Sequence, residues 1–388
     1  MSFLVFISST RLASGAHART PDYWPTTDWL VSLPEAQGMN STRLQEMQTY
    51  YLSQDLPLDS VLVIKNGYIV YEDYPSPGYD QQIAHIMYSC TKSVTSALTG
   101  IAINLGLYDL DDLVLGFFPE RTIDNRDSWK EAITVEDLLM MRSGIAWDEW
   151  TFPYGNMNNY VTAMVSNPDA VQYVLDLPMW SEPGTEWLYN TGASHLLSAI
   201  LTVMSGNSTL SFADEYLFEP LGITRRGWGT DHQGVCYGGH NLFLRPRDMA
   251  KFGFLYLNDG NWAGQQIVPA DWVATSTSAL SEPFIGTTYG YQWWSTPGWG
   301  SYSARGYQGQ YIFVFPDYDL VIVFTGTDLN GETNIDELIL DYILPSIGEV
   351  IPINTTPLLI GILGLTIGIP IISVVIYRLH KRKKQYKP

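Results

Sequence analysis

Lysine is scarce in this sequence: of 388 residues, only Lys65, Lys92, Lys130 and Lys251 precede the final eleven positions. Cysteine is scarcer still, with Cys90 and Cys236 the only two. Two cysteines cannot staple a small disulfide scaffold, and nothing in the sequence brings these two together, so they read as separate buried thiols. The chain also lacks G-x-S-x-G, H-E-x-x-H, CxxC and P-loop patterns. The nearest approach to a nucleophile elbow, Gly192-Ala193-Ser194-His195-Leu196, has no second glycine to turn a strand sharply into a helix. Zinc peptidase, thiol redox and nucleotide hydrolase chemistries therefore have no footing, and neither metal nor cofactor is expected. The histidines, among them His85, His195, His232 and His240, are scattered along the chain and read as structural.

Forty acidic residues face 21 basic ones, for a formal charge of -19. That excess argues against a nucleic-acid binder, which needs clustered Lys and Arg. The basic residues are unevenly spread. Six of them, Arg378, Lys381, Arg382, Lys383, Lys384 and Lys387, fall in the last eleven positions, where no acid occurs, so the rest carries 15 basic and 40 acidic residues, or -25. Immediately before that tail, Pro357 to Tyr377 is a 21-residue run without a charge. At about 1.5 Å per residue it can cross a hydrocarbon core about 30 Å thick, so residues 357–377 read as a transmembrane helix. The positive-inside rule then makes 378–388 a basic cytoplasmic tail and puts everything before the span outside the cell membrane. Gly364 and Gly368 form a GxxxG pair able to bring two spans together as a homodimer. Residues 1–18 read as a signal peptide with an A-x-A cleavage site at Ala16-His17-Ala18, although its apolar run is short. The sequons at Asn40, Asn207 and Asn354 permit glycosylation.

Between these ends, residues 19–350 hold no repeat and no low-complexity linker, which predicts one cooperative unit joined to the span by a short linker, 351–356. Val61 to Ile64 and Tyr68 to Tyr71 flank Lys65-Asn66-Gly67, a strong hairpin signal. Tyr311 to Phe315 and Leu320 to Phe324 flank Pro316 to Asp319 as a second hairpin. Both are apolar enough to be buried on two faces, so the expected class is α+β: one antiparallel sheet made from the two ends of the domain, with a mainly helical lobe inserted between them. Helices are expected from Thr134, with Asp137 completing a capping box, to Met141, from Pro246 through Phe252, after Pro269, and from Asp336 to Leu344.

One pattern carries nucleophilic chemistry. Ser89-Cys90-Thr91-Lys92 is an S-x-x-K, and if residues 89–100 are helical the i, i+3 spacing brings the Ser89 hydroxyl and the Lys92 amine onto one face. A serine hydroxyl needs a base, and a lysine serves once desolvation lowers its pKa. Alone the motif is weak, but its context strengthens it. Leu138 to Gly144 (LLMMRSG), Pro183 to Gly192 (PGTEWLYNTG), Arg245 to Gly253 (RPRDMAKFG), Gln266 to Pro269 (QIVP), Tyr289 to Trp294 (YGYQWW) and Gly306 to Gln310 (GYQGQ) follow in order over about residues 35–345.

Together these motifs resemble the serine β-lactamase-like hydrolases, in the branch of class C β-lactamases, penicillin-binding proteins and esterases. The resemblance implies an acyl-enzyme mechanism in a cleft between sheet and helical lobe. It makes Ser89 the nucleophile, Lys92 its proton acceptor and Tyr189 a second proton-transfer group, acting as a phenolate or as a shuttle. The backbone N–H groups of Ser89 and Gln310 would form the oxyanion hole. The family often has Tyr-x-Asn, whereas Asn190 follows Tyr189 directly, which puts its contact with a substrate amide in doubt. The lactamases' Lys-Thr-Gly, whose cation holds a substrate carboxylate, stands here as Tyr307-Gln308-Gly309. That change favours an esterase or amidase over a β-lactamase. Arg305 reads either as a replacement cation or as an exposed loop residue, and the aromatic stretch Trp147 to Tyr160 either as pocket lining or as core. The expected function is a membrane-anchored serine hydrolase acting on a small-molecule or peptide ester or amide. The alternatives are a cell-wall peptide carboxypeptidase, transpeptidase or β-lactamase, and a catalytically silent surface receptor.

Overall fold

The computed structural model describes residues 21–329 and 333–348. The proposed signal peptide, the linker, the membrane span, the basic tail and Asn354 lie outside the described residues. Within them, no single helix is long and apolar enough to cross a membrane.

Eight antiparallel strands form the main sheet. They are β1 (Leu58–Lys65), β2 (Tyr68–Asp73), β3 (Ser281–Phe284), β4 (Thr287–Tyr289), β5 (Trp294–Thr296), β6 (Ser301–Gly306), β7 (Gln310–Phe315) and β8 (Leu320–Gly326). Their order across the sheet is β2-β1-β8-β7-β6-β5-β4-β3. The two expected hairpins sit side by side, because β1 pairs with β8 from Lys65↔Leu320 to Leu58↔Gly326. Asn66 (φ 53°) and Gly67 (φ 84°) both take the left-handed conformation that a tight hairpin turn with the strands' own twist requires. The chain from 74 to 280 is the insertion. It is mostly helical, with a small three-stranded sheet of His85–Ile86, Leu242–Leu244 and Arg226–Trp228.

Alternation along the central strands divides the interior into two cores. Ile312, Val314, Val321 and Val323 face the inserted lobe, together with Val94, Leu98 and Ile101 of helix α2 (Thr91–Asn104). Phe313, Phe315, Ile322 and Phe324 face the opposite way, against Leu44, Met47 and Tyr51 of α1 (Ser41–Ser53) and Leu338, Ile339 and Ile343 of the helical stretch 335–346. Helix α3 (Thr191–Ser205) packs on α2, and α4 (Pro246–Leu257) lies across β7 and β8.

The sequence-based boundaries need adjustment. Thr134 does cap its helix reciprocally with Asp137, but the helix ends at Leu139, since Met141 (φ 57°) and Gly144 (φ 73°) leave the helical region. The Pro246 helix continues past Phe252 to Leu257, and α2 begins at Thr91 rather than Ser89. Both cysteines are buried and unbridged. Asn40 and Asn207 are exposed, and the Asn40 side chain accepts from Thr42 N to cap α1.

Gly253 is where α4 meets the sheet most closely: a Cβ there would lie 2.7 Å from Ile312 Cγ2 and 2.7 Å from Val321 Cγ1. Gly253→Val is expected to overpack this contact and lower the unfolding free energy by about 1–3 kcal/mol in a urea titration. Unchanged stability would show that α4 can slide off the sheet.

Candidate active site

Ser89 lies in a single tight turn, Tyr88–Cys90, that feeds directly into α2. Tyr88, just before it, is held at φ 43°, a left-handed conformation that costs a side-chain-bearing residue energy and is found where surrounding structure over-determines it. Two contacts hold the turn. Gly306 at the end of β6 passes so close that a Cβ on it would run into Met87 O and lie 3.3 Å from Cys90 N. The Cys90 thiol donates to Gln310 O at 3.3 Å. The start of β7, with the Gln310 backbone, therefore runs alongside the Ser89 turn.

Lys92 is one turn further on and 1% exposed. Its Nζ lies 2.9 Å from Ser89 Oγ, 3.0 Å from Thr191 Oγ1 and 3.0 Å from Gly239 O. It also lies 4.8 Å from the centroid of the Tyr189 ring. Burial pushes its pKa down to about 8, against the opposing pull of Glu149 and Cys90. A base neutral at mildly alkaline pH thus stands in hydrogen-bond contact with a serine. Lys130 and Lys251 are buried too, but they donate to backbone carbonyls: Asp124 O, Leu175 O and Leu177 O for the first, Leu221 O and Gly222 O for the second. Their role is to tie loops together.

Tyr189 is 5% exposed, and the Ser89 side chain acts on its hydroxyl to favour ionisation. Burial is the largest influence on its hydroxyl and pushes the pKa well above the ordinary value, with Tyr289 and Glu149 adding to the rise. Burial thus favours the neutral hydroxyl over the phenolate. The ring sits among aromatics, stacked on Trp294 at 5.9 Å, with Trp150 at 5.6 Å, Trp187 at 6.1 Å and Tyr289 at 6.5 Å between centroids.

The other sequence-derived positions separate into several roles. Gln308 (φ 62°) and Gly309 (φ 91°) make the left-handed turn that leads into β7. The buried Gln310 side chain donates to Gly326 O at 2.7 Å and so braces β8. Tyr307 is 40% exposed, its ring 5.5 Å from Tyr88 and 5.2 Å from Tyr154. Asn190 is the N-cap of α3, its Oδ1 accepting from Ala193 N at 3.0 Å, which accounts for its departure from the expected amide-binding spacing. Arg305 is neither an exposed loop residue nor a free cation. It is part of β6, bonded to Ser303 Oγ and Thr296 Oγ1 and placed over the rings of Trp294 and Phe313. His195 pairs with Asp231 at 3.0 Å inside the lobe, in keeping with a structural histidine.

The aromatic stretch 147–160 serves as both core and rim. Trp147, Glu149 and Asn159 are buried, while Trp150 and Tyr154 are exposed beside Tyr189 and Tyr307. Asn159 pins the loop by donating to Glu149 O and Phe152 O and by capping the next helix. Sequence reasoning missed Glu149, the Thr191 side chain and the Gly239 carbonyl. The one available signal was an acid set within an aromatic run.

A model of the beta-lactamase family matches residues 35–341. The chain belongs to the beta-lactamase family. It is a serine hydrolase of that family by descent. It is 24% identical to the 6-aminohexanoate-dimer hydrolase of Paenarthrobacter ureafaciens over 73% of this chain and 75% of that one. Among solved structures, a family VIII carboxylesterase superposes with a TM-score of 0.62 at 15% identity, covering 81% of this chain and 98% of the other. An octameric penicillin-binding protein homologue from Pyrococcus abyssi gives 0.58 at 22% identity, covering 73% of each chain. These two establish the β-lactamase/transpeptidase-like fold.

With neutral Lys92 as the active form, protonation at lower pH removes the base. Plots of kcat/KM against pH are expected to rise through an apparent pKa of about 8, set by the depressed lysine. A profile flat from pH 6 to 9 would place the base elsewhere.

Proposed function

We propose that the chain is a membrane-anchored, extracytoplasmic serine hydrolase that cleaves a neutral ester or amide through an acyl-enzyme on Ser89. The observation that carries this reading is the buried Lys92 amine 2.9 Å from the hydroxyl of the half-buried Ser89. Lys92 takes the Ser89 proton as Oγ attacks the carbonyl carbon. The new oxyanion accepts from the Ser89 and Gln310 N–H groups, donors typically worth about 3 kcal/mol each in a transition state. As the tetrahedral intermediate collapses, the leaving group takes a proton through the neutral Tyr189 hydroxyl, which is re-protonated from Lys92. Water then repeats the sequence on the acyl carbon and frees Ser89.

Specificity follows from what surrounds the serine. Tyr307 occupies the place where the family's lactamases carry a cation, and the guanidinium of Arg305 is engaged by Ser303, Thr296 and two rings. Nothing there favours a substrate carboxylate. The exposed faces of Trp150, Tyr154 and Tyr307 favour an apolar or aromatic acyl group. Relatives named as a 6-aminohexanoate-dimer hydrolase and a carboxylesterase fit a hydrolase reading of this kind. The anchor rests on the uncharged run 357–377 and the six cations that follow it.

A fluorophosphonate probe is expected to label the wild-type chain and to leave Ser89→Ala unlabelled. In a panel of p-nitrophenyl esters, aminoacyl amides, a chromogenic β-lactam and a D-Ala-D-Ala peptide, esters and amides should dominate. Peptide or β-lactam turnover rivalling the esters would overturn the specificity. Trp150→Ala should raise KM for aromatic acyl esters by up to about tenfold, the loss of roughly 1 kcal/mol of ring contact, with little change for acetyl esters.

A further inference from the structure

Glu149 is 2% exposed and accepts three hydrogen bonds: from Trp147 Nε1 at 2.6 Å and Thr191 N at 3.0 Å, both on Oε2, and from Thr191 Oγ1 at 3.1 Å on Oε1. Thr191 Oγ1 is in turn 3.0 Å from Lys92 Nζ. A hydroxyl has one proton. Spent on Glu149, it leaves Thr191 Oγ1 able only to accept from Lys92. Gly239 O, the other partner on that side, is a carbonyl and can only accept. A neutral lysine amine has two protons and one lone pair, so both protons are committed to Thr191 and Gly239 and the lone pair is left facing the Ser89 hydroxyl.

We propose that Glu149 is a positioning residue for the Lys92 base: by fixing the direction of the Thr191 hydroxyl it aims the amine lone pair at Ser89, and by its charge it stabilises the ammonium formed when Lys92 takes the Ser89 proton. The inference rests on the Ser89 acyl-enzyme reading. Other titratable groups face Lys92 as well: Cys90 from its own turn, Tyr189 from the segment before α3, and His240 from the loop that supplies Gly239. Burial raises the Cys90 thiol and the Tyr189 hydroxyl and lowers His240 to about 3, so all three are neutral near pH 8. Glu149 is the acid whose pull opposes the effect of burial on the lysine.

Glu149→Gln tests this with little change of shape. With its oxygen kept toward Trp147 Nε1 and Thr191 N, the new amide must donate to Thr191 Oγ1, whose proton then turns to Lys92 and competes with Ser89 for the lone pair. The rate of fluorophosphonate labelling of the 388-residue chain, followed from pH 6 to 10, reads both effects without a known substrate. Glu149→Gln should lower the plateau rate by about tenfold or more and move the acid limb to lower pH, because a charge favouring protonated Lys92 is gone. Thr191→Val should slow labelling similarly, while Thr191→Ser, which keeps the hydroxyl, should keep the limb where the wild type has it. A Glu149→Gln profile matching the wild type in rate and limb overturns the proposal. So does a Glu149→Gln variant that loses thermal stability with its limb unmoved, which would make the residue structural. If Glu149→Gln does not fold, equal labelling rates for Thr191→Val and Thr191→Ser overturn it instead. Absence of wild-type labelling at every pH would remove the acyl-enzyme reading itself, an outcome distinct from failure of the Glu149 role alone.

Discussion

A lysine amine held inside a protein core is the constraint around which this site is organised. Taking an ammonium out of water is expensive, and the cost falls only if the amine loses its proton or gains well-placed partners. Both remedies are visible at Lys92. Burial drives the pKa down, and three oxygens receive the nitrogen. The arrangement that makes the lysine tolerable is also the one that suits it to the base role proposed above, because the third oxygen is the Ser89 hydroxyl.

Those oxygens come from different parts of the fold: the turn before α2, the first residue of α3, and the loop that joins two strands of the small sheet. The scaffold's work is to hold them together. Tyr88 accepts a left-handed backbone so that Ser89 leads directly into α2, and Gly306 gives up its side chain so that β6 can lie against that turn. Gly192, one residue past Thr191, is close-packed too: a Cβ there would lie 2.6 Å from the ring of Trp147, the indole that donates to Glu149. Glycines at 192 and 306 thus let α3 and β6 approach Trp147 and the Ser89 turn closely.

What the sequence made legible was local. The Asn-Gly turn, the Thr134 capping box and the Ser89/Lys92 spacing each depend on residues within about four positions of one another, and each appears as expected. The short strands β3 to β6 were not legible, since their Ser, Thr, Gly and Pro content gives no run of alternation and their pairing is decided by neighbours in the sheet. Nor was Glu149, whose partner Thr191 lies 42 residues away with no periodicity linking the two. Asn190 could have been placed better, because an asparagine immediately before a run of small, helix-compatible residues is a capping signal that competes with a substrate-binding one. Arg305 was ambiguous for a physical reason: the rings and hydroxyls that absorb its charge belong to three different strands.

The scarcity of lysine takes on another meaning once the four side chains are placed. Lys65, Lys92, Lys130 and Lys251 are all buried, none more than 8% exposed, so the described surface carries its positive charge on arginine alone. To a reagent that seeks primary amines, whether an acetylating ester, a bifunctional crosslinker or a resin used for immobilisation, the folded domain is nearly silent. The remaining lysines are Lys381, Lys383, Lys384 and Lys387. Apart from the N-terminal amine, amine chemistry on this protein would therefore be directed to positions after residue 380 of the sequence.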